Sequence, residues 1–420
     1  MYMTGYQCIS CGAEQPREFE GYVCPDCGGN LDIQYDYDAI RQEVEKSDSF
    51  GGARQDQFKY LPFLPIQSGD AAPPLRVGAT PLYPVPRLGA TVGLTHLYLK
   101  DEGLNPSASF KDRASALILA RARETGVDVV CGASTGNAGS SMACMAAAAE
   151  LPCVVFVPEK APAAKIAQLL IYGARVMAVR GTYDDAFDLC AKVCEEKGWF
   201  NRNTGFNPFT REGKKTSSFE ICEQLDWAAP DRVIVPTGDG NIISGIWKGM
   251  KDLYAVGLID QLPRIDCAQA EGSAAITNAV NRLRESGKTP SGVDWQSVRI
   301  EPVSAETLAD SISVDDPRDG MAAVRAVAES GGHAVTASDE EILAAIKEVA
   351  RCSGVFVEPS CACAWACLRK LTEAGRVDKD ERIVCLMTGS GLKDIQNARK
   401  VAGEPTVIDP DLDAALAALG

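Results

Sequence analysis

Short apolar runs bounded by glycine, proline and small polar residues recur at 97–100, 127–131, 153–157, 175–179, 199–202, 233–236, 265–268, 334–336 and 382–387. Each has the length of a buried strand and predicts one. Longer stretches between them predict helices at 112–125, 140–149, 163–172, 183–196 and 320–329, with others starting near 246 and after Ser360. Ser338 followed by Asp339, Glu340 and Glu341 reads as an N-cap with acids in the first turn. A shorter helix is predicted at 37–46, inside a connector from 31 to 75 that is punctuated by glycine and proline. Strand and helix alternate most regularly between 127 and 202, the pattern of right-handed βαβ units on a parallel sheet. The expected class is α/β, with two or three domains, because 420 residues exceed one ordinary core.

Composition narrows the function. The chain is 46% hydrophobic and 24% charged, as in a soluble globular protein. A net charge of -15 disfavours nucleic acid and anionic membrane surfaces, which draw on clustered Lys and Arg. No apolar run reaches the roughly 18 residues of a spanning helix, and the start lacks the regions of a signal peptide, so a cytoplasmic protein is expected. Only His96 and His333 are present, neither in a motif, which gives little support to Ser/His/Asp catalysis or a His-rich metal site.

Sixteen cysteines are present, and those in apolar segments, such as Cys131, Cys144, Cys153 and Cys385, are expected as free thiols packed like small hydrophobes. Cys8, Cys11, Cys24 and Cys27 differ. They form two CxxC pairs twelve residues apart, each followed by a glycine, Gly12 and Gly28. Four converging thiolates make a closed tetrahedral zinc site with a structural role; a site emptied of metal and a dithiol redox pair are the alternatives. With only Arg17 between the pairs, a folding role or a domain contact is favoured over nucleic-acid binding.

Candidate chemistry gathers at turns next to predicted strands and helices. Lys111 opens a helix, where the positive end of the macrodipole and partial burial lower an amine's pKa and suit it to attack an aldehyde; the alternative is an exposed lysine paired with Asp112. Residues 132–139, with Ser134, Thr135 and Asn137, offer hydroxyls and backbone amides to a carboxylate, or simply make a tight turn. Asn207, Arg211 and Lys215 bring an amide, a guanidinium fork and an ammonium group that suit a phosphate dianion, or form a solvated basic loop. Gly238, Asp239, Gly240, Asn241 and Ile242 lie between a strand and a helix, where amides cradle a phosphate. Thr388 ends the last strand, at what is otherwise a plain helix-start turn.

Asn105-Pro106-Ser107-Ala108-Ser109-Phe110-Lys111-Asp112-Arg113 resembles the cofactor-lysine segment of threonine synthases, usually Asn-Pro-Thr-Gly-Ser-Phe-Lys-Asp-Arg. Gly78-Ala79-Thr80-Pro81-Leu82 resembles the start of the core in many fold type II pyridoxal-phosphate enzymes, Thr388-Gly389-Ser390-Gly391-Leu392-Lys393-Asp394 resembles the threonine synthase ending Thr-Gly-x-Gly-Leu-Lys-Asp, and many threonine synthases carry a similar N-terminal cysteine segment. The family's Asn-Pro-x-Arg-x-Glu-Gly-x-Lys-Thr is similar to 207–216, with Arg211 one place after the family's arginine. The phosphate loop, 237–245, is a residue shorter than in many members.

The resemblance implies an α/β fold type II pyridoxal-phosphate enzyme, tryptophan synthase β-like, with two parallel-sheet domains and an N-terminal zinc ribbon. The implied division is 1–34 for the ribbon, 35–128 with 225–420 for the large domain, and 129–224 for the small one. It also implies Lys111 as the catalytic, cofactor-holding lysine, Asn137 beside the cofactor's phenolic oxygen, and residues 238–242 at its phosphate. Thr388 would face the ring nitrogen, where a neutral hydroxyl moderates the ring as an electron sink. Ser134 and Thr135 would hold the substrate carboxylate, and Asn207, Arg211 and Lys215 its phosphate. The implied reaction turns O-phosphohomoserine and water into threonine and phosphate, and a homodimer is common in the class. Open alternatives are β-replacement or β-elimination on another amino acid, cysteate synthase-like or threonine dehydratase-like, and a zinc-ribbon regulator on an inactive scaffold.

Overall fold

Among the described residues thirteen strands form three sheets, and the two parallel ones make the frame of the site. In chain order they are β1 (Met3–Cys8), β2 (Glu14–Pro16), β3 (Leu31–Tyr35), β4 (Leu82–Pro84), β5 (His96–Asp101), β6 (Val130–Ala133), β7 (Cys153–Pro158), β8 (Arg175–Val179), β9 (Phe200–Asn201), β10 (Arg232–Pro236), β11 (Arg264–Ala270), β12 (Ala334–Ala337) and β13 (Arg382–Met387). This is a computed structural model, and it describes residues 1–46, 50 and 54–420. The connector's positions 47–49 and 51–53 lie outside the described residues.

The largest sheet runs β12-β11-β10-β13-β5-β4 and is parallel except for the antiparallel edge strand β4. Its central strands are buried on both faces, which is why Val233, Ile234, Val235 and Ile383 to Met387 read as unbroken apolar runs rather than as an alternation. The second sheet, β8-β7-β6-β9, is wholly parallel. The third, β2-β1-β3, is a small antiparallel sheet at the N-terminus. Among the described residues no helix is long and apolar enough to cross a membrane, and every cysteine is a free thiol.

The helix Lys111–Glu124 packs against the helices Asn137–Ala148 and Phe209–Lys214. Ten of its residues are buried. Gly213 makes one of these contacts possible: a Cβ there would stand 2.3 Å from the Arg113 carbonyl oxygen, so only a residue without a side chain lets the backbones approach.

The sequence-based boundaries shift in two instructive places. The helix expected from 246 begins at Asn241, so its N-terminus belongs to the glycine loop itself. The segment 207–216, expected as an exposed or substrate-facing loop, is almost entirely buried and continues as the helices Phe209–Lys214 and Thr216–Gln224.

Candidate active site

Lys111 is the first residue of its helix, and the turn before it is shaped by Ala108, whose φ of 60° sends the chain back towards the end of β13. There the Ser390 N–H donates to the Ala108 carbonyl at 3.1 Å, and the Phe110 N–H donates to the Thr388 carbonyl at 2.8 Å. The lysine segment and Thr388 are thus joined through their backbones. The Lys111 amine lines a cavity of about 520 Å³ and makes no hydrogen bond or ion pair with any described residue. Burial, the largest influence, lowers its pKa; the Asp239 carboxylate opposes this and the Arg202 charge adds to it. A larger share of the neutral, nucleophilic amine follows than an exposed lysine has.

The loops after the parallel strands supply the rest of the wall, as open α/β sheets place ligands beyond strand carboxyl ends. After β6 come Ser134, Thr135 and Asn137 at the N-terminus of the helix Asn137–Ala148, with Ser134 Oγ accepting from the Gly136 N–H at 3.2 Å. After β10 come Gly238, Asp239, Gly240 and Ile242, with Gly240 in the left-handed region at φ 95° and the helix Asn241–Ala255 starting directly behind it. After β13 comes Thr388, whose hydroxyl lies 3.4 Å from Cys361 Sγ. Asn137 Nδ2 donates to both Glu358 carboxylate oxygens, at 3.2 and 3.1 Å, and to Ser311 Oγ at 3.3 Å.

A family model described as pyridoxal-phosphate dependent enzyme matches residues 74–389. A threonine synthase of Methanocaldococcus jannaschii is 40% identical over 408 residues, spanning 97% of each chain. One from Methanosarcina acetivorans is 39% identical over 413 residues and spans 98% of each. The chain belongs to the threonine synthase family. Solved structures agree on the fold: a processed threonine deaminase isoform 2 from Solanum lycopersicum superposes with TM-score 0.63 at 23% identity, covering 81% of this chain and 84% of that one. Maize serine racemase gives 0.60 at 25%, covering 74% and 88%.

The cavity fits the family's pyridoxal phosphate on its own chemistry. An unpaired amine is available for the aldehyde, hydroxyl and amide side chains stand at the wall, and two helix N-termini can each receive an anion. Behind the second of them lies Lys214, fully buried, donating to Asn241 Oδ1 at 2.5 Å and making no ion pair with a described residue. Burial holds its pKa well below the usual value, and an anion seated at the loop would relieve that.

The sequence-predicted residues do not all meet. Lys111, Ser134, Thr135, Asn137, Gly238, Asp239, Gly240, Ile242 and Thr388 line one cavity. Asn241 is not among the lining residues, its side chain being held by Asp319, Lys214 and Thr210. Asn207, Arg211 and Lys215 are also outside the lining. Asn207 donates to the Asn201 carbonyl at 2.6 Å and caps Phe209 N–H at 2.9 Å. Arg211 is ion-paired with Asp32 at 2.9 Å and Asp319 at 2.6 Å, and Lys215 with Glu212 at 2.5 Å and Asp252 at 2.6 Å. Apart from Glu212, the carboxylates that satisfy these charges are distant in sequence, which the pattern of the segment does not disclose.

Arg202, Tyr183, Glu358 and Arg318 also line the cavity, although the sequence pattern gave none of them a role there. For Arg202 the signal was present: it directly follows a parallel strand, β9.

At the other end of the chain the Sγ atoms of Cys8, Cys11, Cys24 and Cys27 all lie within 4.8 Å of one another, with Cys8 to Cys27 at 3.5 Å and Cys11 to Cys24 at 3.7 Å. Tetrahedral Zn–S bonds of about 2.3 Å require sulfurs roughly 3.8 Å apart, so the set fits that metal. Two matching turns build it: Gly12 N–H donates to the Cys8 carbonyl at 3.0 Å and Gly28 N–H to the Cys24 carbonyl at 2.8 Å, both glycines having positive φ.

Proposed function

We propose that the chain converts O-phosphohomoserine and water into threonine and phosphate. The observation that carries the reading is the unpaired Lys111 amine in a cavity whose wall holds Ser134, Asn137, Gly240 and Thr388, within a chain that matches threonine synthases along nearly its whole length. Pyridoxal phosphate, when bound, supplies an electron-withdrawing ring that makes the substrate's Cα and Cβ protons acidic. Lys111 would hold the cofactor and, as a free amine, would serve as the base that moves protons at Cα and Cβ. Phosphate leaves from Cγ once Cβ is deprotonated, Cγ then gains a proton to become the methyl carbon, and water adds its hydroxyl at Cβ, giving up a proton, before Cα is reprotonated. Ser134 and Thr135, with the amides opening the helix Asn137–Ala148, hold the α-carboxylate. The amides of Gly238 to Ile242 would hold the cofactor phosphate, Asn137 would serve its phenolic oxygen, and Thr388 would offer a neutral hydroxyl to the ring nitrogen.

The same reading includes a structural zinc at Cys8, Cys11, Cys24 and Cys27, a homodimer, a cytoplasmic location, and a small domain over 129–224 that closes on the substrate. The test is to incubate the purified protein with O-phosphohomoserine and to follow both phosphate and the amino acid formed, by chromatography. Threonine and phosphate in equal amounts are expected, with neither formed by Lys111→Ala. Phosphate without threonine points to a lyase, and product from phosphoserine with sulfite alone points to β-replacement.

A further inference from the structure

Among the described residues, the buried arginines Arg113, Arg211 and Arg232 are each ion-paired with carboxylates. Arg202 breaks that pattern. It is 2% exposed, lines the cavity and makes no ion pair with a described residue. Its partners are hydroxyls: Nε and Nη2 both donate to Ser115 Oγ at 3.3 Å, and Nη1 donates to Thr204 Oγ1 at 2.5 Å. A guanidinium has five donors, so one N–H on each terminal nitrogen is left over, the edge that grips an oxyanion with two parallel bonds. The charge with the largest influence on it is that of Asp239, with which it forms no ion pair. Burying a cation without a counter-charge costs far more than its two hydroxyl contacts return, so the site calls for an anion.

We propose that Arg202 binds the phosphate group of the substrate. The assignment to substrate rests on the activity proposed above. The proposed reaction brings three anions into one cavity, a carboxylate and a phosphate on the substrate and a phosphate on the cofactor. The carboxylate has the loop after β6, and the cofactor phosphate has the glycine loop after β10 with Lys214 behind it. Of the two arginines in the lining, Arg318 is ion-paired with Asp184 at 3.0 Å, which leaves Arg202, after β9 and next to β6 in the sheet. It stands one helical turn from the reaction centre through Ser115, on the helix that Lys111 opens. This role replaces the one the sequence pattern gave to Arg211, whose charge is spent on Asp32 and Asp319.

The test uses the full-length protein with its cofactor and inorganic phosphate as probe, in wild type, Arg202→Gln and Arg202→Lys, with thermal unfolding run on each to confirm a native fold. Calorimetry is expected to show phosphate affinity lower by about tenfold or more in Arg202→Gln, since charged hydrogen bonds are lost, with a smaller loss in Arg202→Lys, which keeps the charge but not the fork. KM for O-phosphohomoserine should rise in step, with cofactor retained through dialysis in all three. Unchanged phosphate affinity in both variants, no phosphate binding by the wild type, or loss of cofactor with phosphate affinity kept each overturns the proposal. Should the wild type bind phosphate in this Arg202-dependent way yet form no threonine, the proposed activity fails while Arg202 stands as a phosphate ligand.

Discussion

Ala108 occupies a conformation that glycine takes at no steric cost, and the family's usual segment has glycine at this place. The left-handed φ of 60° is forced by the two backbone bonds that tie the lysine turn to Thr388 and Ser390. An alanine there costs about 1–2 kcal/mol, of which glycine's greater unfolded-chain freedom returns roughly half. Ala108→Gly is therefore expected to raise stability by a few tenths to about 1 kcal/mol, read from the denaturant midpoint of the cofactor-free protein. Lys215 is the opposite case. Its ammonium sits between Glu212 and Asp252 with all three side chains at 1% exposure or less, so Lys215→Met leaves two buried carboxylates with only the longer contacts of Lys248, at 3.9 and 3.5 Å. Breaking such a pair costs about 3–5 kcal/mol. Lower stability with unchanged KM in the folded fraction is expected, whereas a KM rise without loss of stability would return Lys215 to the substrate. These residues also mark a limit of the sequence. Motif letters located Lys111, Asn137 and Thr388, whose chemistry is local, but the roles of Arg211 and Lys215 depend on acids at 32, 252 and 319 that only folding brings near.

Among the elements, those with strong periodicity were legible. Runs at 97–100, 153–157, 175–179, 233–236 and 382–387 all fall inside strands of the two parallel sheets. The 127–131 run starts too early, because β6 begins at Val130 where pairing to Cys153 begins, and extends through Gly132 and Ala133, which look like turn residues. The helices Phe209–Lys214 and Thr216–Gln224 were not legible, since buried lysines, arginine and glutamates look like a solvent face until their partners are known. The N-terminal sheet shows how a separate element is tied in: Arg211 holds the Leu31 carbonyl and Asp32, Arg325 donates to the Ile9 carbonyl at 2.8 Å, and Asn30 donates to the Gly205 carbonyl at 2.6 Å. If zinc closes its four thiolates, metal analysis of the purified protein should find one zinc per chain. Cys24→Ser should lose it and expose this sheet to proteolysis, because a site short of a ligand no longer offsets the ordering of a small sheet. A second zinc, surviving Cys24→Ser, would direct attention to the buried trio Cys131, Cys190 and Cys194.

At the scale of the whole molecule, two parallel sheets direct the carboxyl ends of β6, β9, β10 and β13 at one cavity, and the helix Lys111–Glu124 delivers its lysine there. The α/β class and the presence of a second parallel sheet follow from the alternation of apolar runs. That the loops converge does not, because it depends on strand order, and β13 pairing between β10 and β5 joins segments more than a hundred residues apart. The account as a whole depends on which lysine carries the cofactor, since Lys214, fully buried and without an ion pair to a described residue, sits behind the glycine loop of the same cavity. Borohydride reduction of the cofactor-loaded protein, followed by peptide mapping, reads this directly. The account expects a single pyridoxyl-phosphate adduct on Lys111; an adduct on Lys214 or another lysine, or none, contradicts it.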